Sequence, residues 1–270
     1  MSNLKHAVIL CGGYGTRFLP MTKVLPKELF PLVDRPALDY LIKEAVDSGI
    51  TNITIVINKR KTLIKDYFEQ DLDYENFVKG KPQFLKLLDT KPKGVKINFV
   101  EQVNQLGSGD AVKCAKEYVK NNDFCLMYGD DLVVADTPLL KQMMQVYDKY
   151  GKSVNAVFKC SRKEITKYGV VDQIKKEGRV VHSTKICEKP KSAKLAPSRY
   201  ASVGRYIITK DVWRELDKIE PAPNGEYQLT DALNNLNGFM AYQYQGKRFD
   251  LGYKPDLVRA NVYLSKHKQF

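Results

Sequence analysis

Apolar and polar positions alternate in blocks along the chain, and their spacing predicts an α/β fold. Nearly continuous apolar runs such as residues 53–57 and 124–128 are typical of strands buried on both faces of a parallel sheet. Between such runs, residues 36–48 carry apolar side chains at helical spacing and stop before Gly49. This alternation predicts a Rossmann-like, mixed but mainly parallel central sheet flanked by helices. The predicted elements of the first half are strands at 7–10, 53–57, 95–100 and 124–128, and helices at 36–48, 61–68, 110–119 and 139–150.

The second half of the chain is richer in short alternating segments. Residues 168–174 and 180–187 predict a pair of strands with a turn at Gly178. No flexible linker separates the two halves, so we expect a single domain over residues 1–270 that divides near residue 150. The other predicted elements are strands at 154–158, 200–208 and 239–249, helices at 210–218, 228–237 and 254–266, and a polar insertion at 71–93 with a short helix near 84–88.

The stretch after the first strand combines glycines with cations. Gly12, Gly13 and Gly15 let the backbone turn sharply and come close to a ligand, and Arg17 and Lys27 add two positive charges. Small residues, backbone amides and cations suit a polyphosphate. A glycine-rich turn that only joins a strand to a helix would look similar, so the loop by itself does not decide the function.

Polar residues also follow the later strands. Gln102 follows the third predicted strand, Gly129, Asp130 and Asp131 follow the fourth, and Asp250 follows the strand at 239–249. Right-handed crossovers place the carboxyl ends of parallel strands at one edge of the sheet, where ligands bind. Asp130 and Asp250 could there hold Mg²⁺ together with phosphate oxygens, although each alone fits a turn or a helix cap equally well. Asp131 fits a cap or a supporting role better than a metal ligand.

Three further polar residues suit a ligand. Lys189 lies between Glu188 and Pro190, which restrains its backbone, and could meet a phosphate. Glu188 could accept hydrogen bonds from sugar hydroxyls, although an exposed ion pair explains both residues more simply. The amide of Gln102 can pair with a donor and an acceptor of a pyrimidine edge, or it can simply face solvent.

The net charge of +13 raises the possibility of nucleic-acid binding. The lysines are spread along the chain, however, without a run of five or six and without interleaved aromatic residues. A solvated lysine-rich surface is therefore the favoured interpretation. Such a surface would also attract anionic substrates such as nucleotides and sugar phosphates.

Cysteine usage and hydropathy indicate a cytoplasmic protein without membrane association. The five cysteines are odd in number and none lie at metal-ligand spacing, which predicts buried free thiols in a reducing compartment. No apolar run approaches the length of a membrane span, and the first residues lack the pattern of a signal peptide.

Several catalytic motifs are absent from the sequence. It contains no HExxH motif and no GxxxxGK[ST] loop, and the three scattered histidines show no pattern of a catalytic base. The residues Thr16, Arg17 and Phe18 interrupt the glycine loop where a GxGxxG fingerprint would continue, which argues against a nicotinamide-dependent dehydrogenase.

Spaced motifs along nearly the whole chain resemble the sugar-nucleotide pyrophosphorylase family, and within it the bacterial UTP–glucose-1-phosphate uridylyltransferase group. They occur in the order that the family has. The blocks that carry the resemblance are Gly13–Pro20, Thr22–Lys23, Pro26–Glu28, Pro31–Pro36, Gln102 with Leu106–Val112, Gly129–Asp130, Tyr168–Val171, Glu188–Lys191, Ala201–Tyr206 and Glu226–Asp231.

The resemblance implies a nucleotide-diphospho-sugar transferase fold and an enzyme that makes UDP-glucose from UTP and glucose 1-phosphate. It implies that Asp130 and Asp250 hold Mg²⁺, and that the nucleotide binds in the first half of the chain and the sugar phosphate in the second. Its implied nucleotide contacts are Gly12, Gly13, Gly15, Thr16, Gln102 and Gly107, with Arg17 and Lys27 on the phosphates. Its implied sugar-phosphate contacts are Tyr168, Gly169, Glu188, Val203 and Gly204, with Lys189 on the phosphate; Arg17, Lys27 and Lys189 are thus the predicted catalytic residues.

The chain departs from the family pattern at three places. Gly129 stands where many relatives have proline, and Asp131 adds a carboxylate beside Asp130. The segment 251–253 reads Leu-Gly-Tyr where Cys-Gly-Asn is commoner.

We also expect a homodimer or homotetramer, in which the final helix with Val258, Val262 and Leu264 could join an interface.

The implied reaction fits the residues present. The phosphate of glucose 1-phosphate is largely ionised near neutral pH, because the second pKa of a phosphomonoester is about 6. It can therefore attack the α-phosphorus of UTP without a general base, and the protein has only to position two anions and stabilise the spreading charge. The alternatives left open are a thymidylyltransferase acting on the same sugar phosphate, a non-catalytic nucleotide-binding regulatory module and, from charge alone, a nucleic-acid-binding protein.

Overall fold

The computed structural model describes residues 3–267, which form a large mixed sheet between two layers of helices. The predicted alternation of strands and helices is confirmed in the first half. The strands and helices there are β1 (His6–Leu10), β2 (Pro31–Leu32), β3 (Arg35–Pro36), α1 (Ala37–Asp47), β4 (Asn52–Ile57), α2 (Thr62–Asp66), α3 (Leu72–Phe77), α4 (Pro82–Leu88), β5 (Lys96–Glu101), α5 (Ser108–Cys114), α6 (Lys116–Val119), β6 (Phe124–Tyr128), β7 (Asp131–Val134) and α7 (Leu139–Tyr150).

The second half continues the same sheet with shorter strands. No helix among residues 3–267 is both long and apolar enough to cross a membrane. The elements of this half are β8 (Val154–Lys159), β9 (Val170–Val171), β10 (Lys175–Glu177), β11 (Val180–Ser183), β12 (Ile186–Cys187), β13 (Tyr200–Ile208), α8 (Val212–Leu216), α9 (Leu229–Asn234), β14 (Phe239–Gln243), β15 (Lys247–Asp250) and α10 (Lys254–His267).

The strand order of the central sheet is β10-β11-β14-β8-β13-β6-β1-β4-β5. β1 lies between β4 and β6 and runs parallel to both, and β5 runs parallel to β4. β13 runs antiparallel to its neighbours β6 and β8. The expected mixed, mainly parallel sheet of Rossmann-like type is therefore confirmed. Its order reverses at β1, which places a crevice at the carboxyl end of that strand.

Both faces of the sheet are buried, which explains the continuous apolar strands. In β1, Ala7 and Ile9 pack on the face covered by α1 and α7, whereas Val8 packs on the face covered by α5, α8 and α9. β6 divides in the same way, with Cys125 on the first face and Leu126 on the second. Alternate side chains of one strand thus belong to two separate cores.

The prediction of one strand over 239–249 was wrong. β14 lies in the central sheet beside β8, but β15 leaves it and pairs with β7 in a two-stranded sheet. The chain changes direction at Gly246, whose φ is 141°, and a Cβ at this position would come within 2.9 Å of the Val134 carbonyl oxygen. The sequence did not reveal this turn, because the alternation of apolar and polar side chains continues through it.

The paired strands predicted at 168–174 and 180–187 are two shorter pairs instead. β9 pairs with β12, and β10 pairs with β11. Between the two pairs, the Asp172 carboxylate accepts hydrogen bonds from the backbone amides of Thr184 and Lys185, and the Asp172 amide donates to the Lys185 oxygen at 2.9 Å.

Several predicted helices have different bounds. The insertion 71–93 contains two helices, α3 and α4, rather than one. The helix predicted at 110–119 begins earlier and is divided into α5 and α6, while those at 210–218 and 228–237 are shorter. Of the three apolar residues proposed for an interface on the final helix, Val258 and Val262 are exposed, but Leu264 packs inside.

A buried ion pair joins α1 to β13. Both oxygens of Glu44 accept hydrogen bonds from the Arg205 guanidinium, with the two Nε contacts at 3.1 and 3.2 Å and the Nη2 contact at 3.0 Å. Arg205 is 0% exposed, and its Nη1 also donates to the Gly204 carbonyl oxygen. The pair lies beside a register shift in β13 between Ser202 and Tyr206. It therefore anchors an irregular stretch of the strand that enters the crevice.

Replacing Glu44 by alanine should strongly destabilise the fold. The change leaves the Arg205 guanidinium buried without its counter-charge, which typically costs about 3–5 kcal/mol of unfolding free energy. Urea denaturation followed by far-UV circular dichroism measures the change.

The matched control is Glu69→Ala, because Glu69, just after α2, pairs with Lys65 of that helix in an exposed ion pair at 3.3 Å. That variant should be close to wild type. The joint change of Glu44 to leucine and Arg205 to methionine should recover much of the loss. If Glu44→Ala had the same midpoint of urea unfolding as the wild type, the ion pair would have no stabilising role.

Candidate active site

The predicted site residues gather at the carboxyl edge of the sheet, around the crevice beside β1. The glycine loop leaves β1, Gln102 follows β5, and Asp130 follows β6. A fourth segment, after β4, brings in Asn58 and Lys61, which the sequence did not single out. Four neighbouring parallel strands thus deliver their following residues to one place.

The carbonyl groups of the glycine loop accept hydrogen bonds from neighbouring side chains, which fix the loop in place. Asn58 Nδ2 donates to the Gly12 oxygen and Lys61 Nζ to the Cys11 oxygen, each at 2.6 Å. Thr22 Oγ1 donates to the oxygen of Gly15, whose φ of 67° lies in the left-handed region.

The amides of the same loop are left available. Within the described part of the chain, the backbone N–H groups of Gly12, Gly13 and Gly15 donate no hydrogen bond. Amides without internal acceptors beside two cations are what a polyphosphate needs.

A buried ion pair supports the loop. Lys61 Nζ donates to both carboxylate oxygens of Glu28, at 2.8 and 2.7 Å, and Lys61 is only 4% exposed. Burial raises the pKa of Glu28, while Lys61 and Lys27 act in the opposite direction. Sequence reasoning missed Lys61 because it ends the run Lys59-Arg60-Lys61, which looks like an ordinary basic surface.

The two predicted cations of the loop contact the two predicted metal-binding segments. Lys27 Nζ lies 2.5 Å from Asp130 Oδ2, and Arg17 Nη1 donates to the Gly252 carbonyl oxygen at 3.2 Å. Burial lowers the pKa of Lys27, but the negative charges of Asp130 and Glu28 outweigh it and leave that pKa raised. Burial raises the pKa of Asp130, but Lys27 outweighs it and leaves the pKa lowered. Both groups are therefore charged at neutral pH.

Asp130 and Asp250 converge above Gly252. A Cβ added to Gly252 would lie 2.9 Å from Asp130 Oδ2 and 3.0 Å from Asp250 Oδ1, so a side chain here would block the space between the carboxylates. Burial and the neighbouring Asp130 charge raise the pKa of Asp250. A cation between the two would relieve this repulsion. Mg²⁺ prefers a few carboxylates together with phosphate oxygens, and these two aspartates are the candidate ligands. No cluster of three or more His, Cys, Asp or Glu side chains arranged for a metal occurs in residues 3–267.

Asp131 makes other contacts. Its carboxylate accepts hydrogen bonds from Arg248 Nε and Nη2, at 2.7 and 3.0 Å, and from the Gly204 amide at 2.9 Å. The Arg248 guanidinium also lies over the ring of Tyr168, 5.4 Å from its centroid. Asp131 thus links the strand that carries Asp250 to the second half of the site, in agreement with the supporting role expected for it.

The predicted sugar-phosphate residues also lie together. A Cβ on Gly169 would meet Glu188 Oε2 at 2.9 Å, and the Lys189 amide donates to the Tyr168 oxygen at 3.2 Å. Lys189 has a φ of 43°, an uncommon conformation for a residue with a side chain and one that is frequent at functional sites. Burial raises the pKa of Glu188, Lys189 opposes this, and Asp231 adds to it. Asp231 is thus a further acidic group near Glu188, to which the sequence had assigned no role.

Val203 and Gly204 are enclosed more deeply than a sugar contact suggested. Val203 is 3% exposed and packs in the main core. A Cβ on Gly204 would lie 2.6 Å from Tyr128 Cβ. Any contact between these two residues and a sugar would therefore involve their backbone. Thr16, in contrast, is exposed in the short turn that follows the loop.

Tyr128 stands between the two halves of the site. Burial raises its pKa to about 12, and the charges of Glu188 and Asp130 add to the effect. It therefore lies within electrostatic range of both the predicted sugar-phosphate residues and the predicted metal ligands. In the sequence, its position at the end of an apolar strand did not indicate that it lies between these two groups of residues.

The remaining predicted nucleotide contacts form one end of the crevice. Gln102 Nε2 donates to the Gly107 oxygen at 3.1 Å, and a Cβ on Gly12 would lie 2.6 Å from Gln102 Oε1. Gly107 has a φ of 101°, and a Cβ there would come within 2.7 Å of the Tyr227 carbonyl oxygen. The turn before α5 therefore requires glycine.

The structure explains why glycine occupies position 129. The Gly129 amide donates to the Leu10 oxygen at 2.9 Å, and an added Cβ would lie 2.8 Å from Cys11 Sγ. Proline would lose the hydrogen bond and push against the thiol. Glycine thus allows β6 to approach the start of the glycine loop closely.

Comparisons with known proteins identify the family of the chain. The family model described as nucleotidyl transferase matches residues 6–267. The UTP–glucose-1-phosphate uridylyltransferase of Staphylococcus epidermidis is 37% identical over 267 residues, which cover 97% of this chain and 92% of the relative.

Solved structures agree over the same length. The structure of an apo UDP-glucose pyrophosphorylase has a TM-score of 0.91 and 33% identity, covering 98% of this chain and 99% of the other. The UTP-bound UGPase of Acinetobacter baumannii has a TM-score of 0.88 and 33% identity, covering 97% and 94% of the two chains. The chain therefore belongs to the nucleotidyl transferase family.

Proposed function

We propose that this protein catalyses the attack of glucose 1-phosphate on UTP, which gives UDP-glucose and pyrophosphate. The observation that carries the proposal is the loop after β1, whose amides donate no hydrogen bond within residues 3–267. Gly15 lies against Lys27, and Lys27 pairs with Asp130, which converges with Asp250. The activity named for the Staphylococcus epidermidis relative and the UTP-bound Acinetobacter baumannii structure support the same substrates.

In this proposal the chain positions two anions. The amides of the loop and the side chains of Arg17 and Lys27 bind the triphosphate, and Lys189 binds the phosphate of the sugar. One phosphate oxygen of the sugar attacks the α-phosphorus of UTP, the bond to the β-phosphate oxygen breaks, and pyrophosphate leaves with its electron pair. The attacking oxygen is already ionised, so the side chains supply positive charge and orientation rather than a base.

Asp130 and Asp250 are the residues that would hold Mg²⁺. When bound, Mg²⁺ neutralises phosphate charge. Lys27 compensates part of the charge of Asp130, and Arg17 binds the backbone beside Asp250. The side chains of Lys27 and Arg17 therefore connect the glycine loop to the segments that carry the two carboxylates.

Location and assembly remain predictions. We propose that the enzyme works in the cytoplasm as a homodimer or homotetramer, without nucleic acid or membrane as a partner. Val258 and Val262, exposed on α10, are the apolar residues available for self-association on that helix.

A matrix of substrates tests the function. Pyrophosphate release should be fastest with UTP and glucose 1-phosphate, and dTTP should be a poorer substrate. Galactose 1-phosphate in place of glucose 1-phosphate tests the sugar. A strong preference for dTTP would instead make the protein a thymidylyltransferase, and no release with any pair would favour the non-catalytic nucleotide-binding module.

Lys189→Ala should abolish most UDP-glucose formation. Without the ammonium group, kcat/KM for glucose 1-phosphate should fall by about 100-fold or more. UTP binding, measured by calorimetry without the sugar phosphate, should stay close to wild type.

Lys191→Ala is the matched control, because this exposed lysine lies two residues further on in the same loop. It should retain activity. Near-normal turnover of Lys189→Ala would contradict the assigned role.

Asp250→Asn should separate metal binding from stability. The variant should lose at least about 100-fold in kcat and should show a weaker thermal stabilisation by Mg²⁺ with UTP than wild type. Asp131→Asn, in contrast, should lower the unfolding temperature because Arg248 loses half of a buried, two-bond ion pair. An Asp250→Asn protein with wild-type activity and Mg²⁺ response would remove this aspartate from the metal site.

A further inference from the structure

Almost every polar group of Gln102 is committed within the protein. Its backbone amide donates to the Ile57 oxygen at 2.8 Å, and its backbone oxygen accepts from Gln105 Nε2 at 2.8 Å. Its side-chain nitrogen donates to the Gly107 oxygen at 3.1 Å and to Asp110 Oδ2 at 2.7 Å. Gln102 is also only 4% exposed. Its side chain is therefore held in one place.

The two acceptors decide which way the amide of Gln102 is turned. A glutamine amide has two N–H groups, and here Gly107 and Asp110 use both. Turning the amide over would place Oε1 against a carbonyl oxygen and a carboxylate. Oε1 therefore stays on the opposite side, where it lies 2.6 Å from the position of a Gly12 Cβ. An acceptor alone is left facing the glycine loop, rather than the donor and acceptor expected from the sequence.

Asp110 is itself fixed by the start of α5. The Gly109 amide donates to the Tyr227 oxygen at 2.8 Å, and Ser108 Oγ accepts from the Leu229 amide at 3.1 Å. The first turn of α5 is thus fastened to the segment before α9. The carboxylate that orients Gln102 belongs to a rigid element.

We propose that Asp110 is a positioning residue for base selection, which holds Gln102 so that only Oε1 meets the nucleotide base. The inference rests on the proposed function, because it requires a pyrimidine nucleotide in this crevice. Uracil presents an N3–H donor to such an acceptor, whereas cytosine has an unprotonated N3. CTP would place two acceptors face to face, and such an unpaired buried contact is costly. Thymine shares the N3–H group, so Asp110 does not separate UTP from dTTP.

The test compares UTP with CTP in the full-length wild type, Asp110→Ala and Asp110→Asn. In Asp110→Ala, the ratio of kcat/KM for UTP to that for CTP should fall about tenfold or more, through KM rather than kcat. Asp110→Asn is the matched control, because its side-chain oxygen can still accept from Gln102, and it should keep most of the discrimination. Calorimetric binding of UTP and CTP without sugar phosphate should show the same order.

Two outcomes would overturn the proposal. One is a UTP-to-CTP ratio in Asp110→Ala within twofold of wild type, and the other is an equal loss in the alanine and asparagine variants. If thermal unfolding showed that Asp110→Ala is not folded, Asp110→Ser, whose hydroxyl is too short to reach Gln102, replaces it with the same expected loss. A wild type that makes no UDP-glucose would refute the proposed function alone, because the binding comparison of UTP with CTP would still test Asp110.

Discussion

The arrangement of this protein depends on balancing negative charge within one crevice. Two aspartates, a buried glutamate and two phosphate-bearing substrates would repel one another strongly in a site of low dielectric constant. Lys61 compensates Glu28 beneath the glycine loop, and Lys27 compensates Asp130 beside it. Burial and Asp130 raise the pKa of Asp250, although Arg248 opposes them. This excess of negative charge is where we propose that a cation and the triphosphate bind.

The small sheet of β7 and β15 makes this balance possible. Pairing of the two strands sets Asp250 opposite Asp131, directly after Asp130. Arg248 binds Asp131 and at the same time covers the ring of Tyr168. Residues distant in sequence are thereby held in a fixed relation, and the predicted nucleotide side is tied to the predicted sugar-phosphate side. The register shift in β13, anchored by the buried pair of Arg205 and Glu44, completes this connection at Gly204.

Local patterns explain which parts of the fold could be predicted. Strands buried on both faces, such as β4 and β6, are continuous apolar runs, and α1 and α7 have clear helical spacing. The division of 239–249 into β14 and β15 escaped prediction because a turn at Gly246 does not interrupt the alternation of side chains. The insertion at 71–93 and its helix near 84–88 were recognised, but its first helix, α3, was not, because the apolar residues Leu72, Tyr74 and Phe77 are exposed and show no buried stripe.

The sequence by itself determined the fold class and the glycine loop, and its spaced motifs resembled those of the family. These features depend on residue type and on short-range spacing, which chain order alone records. Only the tertiary structure decided that Lys61 is buried against Glu28 beneath the loop, that Asp131 binds Arg248, and that Asp110 accepts a hydrogen bond from Gln102. Each is a contact between side chains from separate parts of the chain. A charged residue looks the same in a sequence whether it faces solvent or a buried partner, and only the folded chain distinguishes the two.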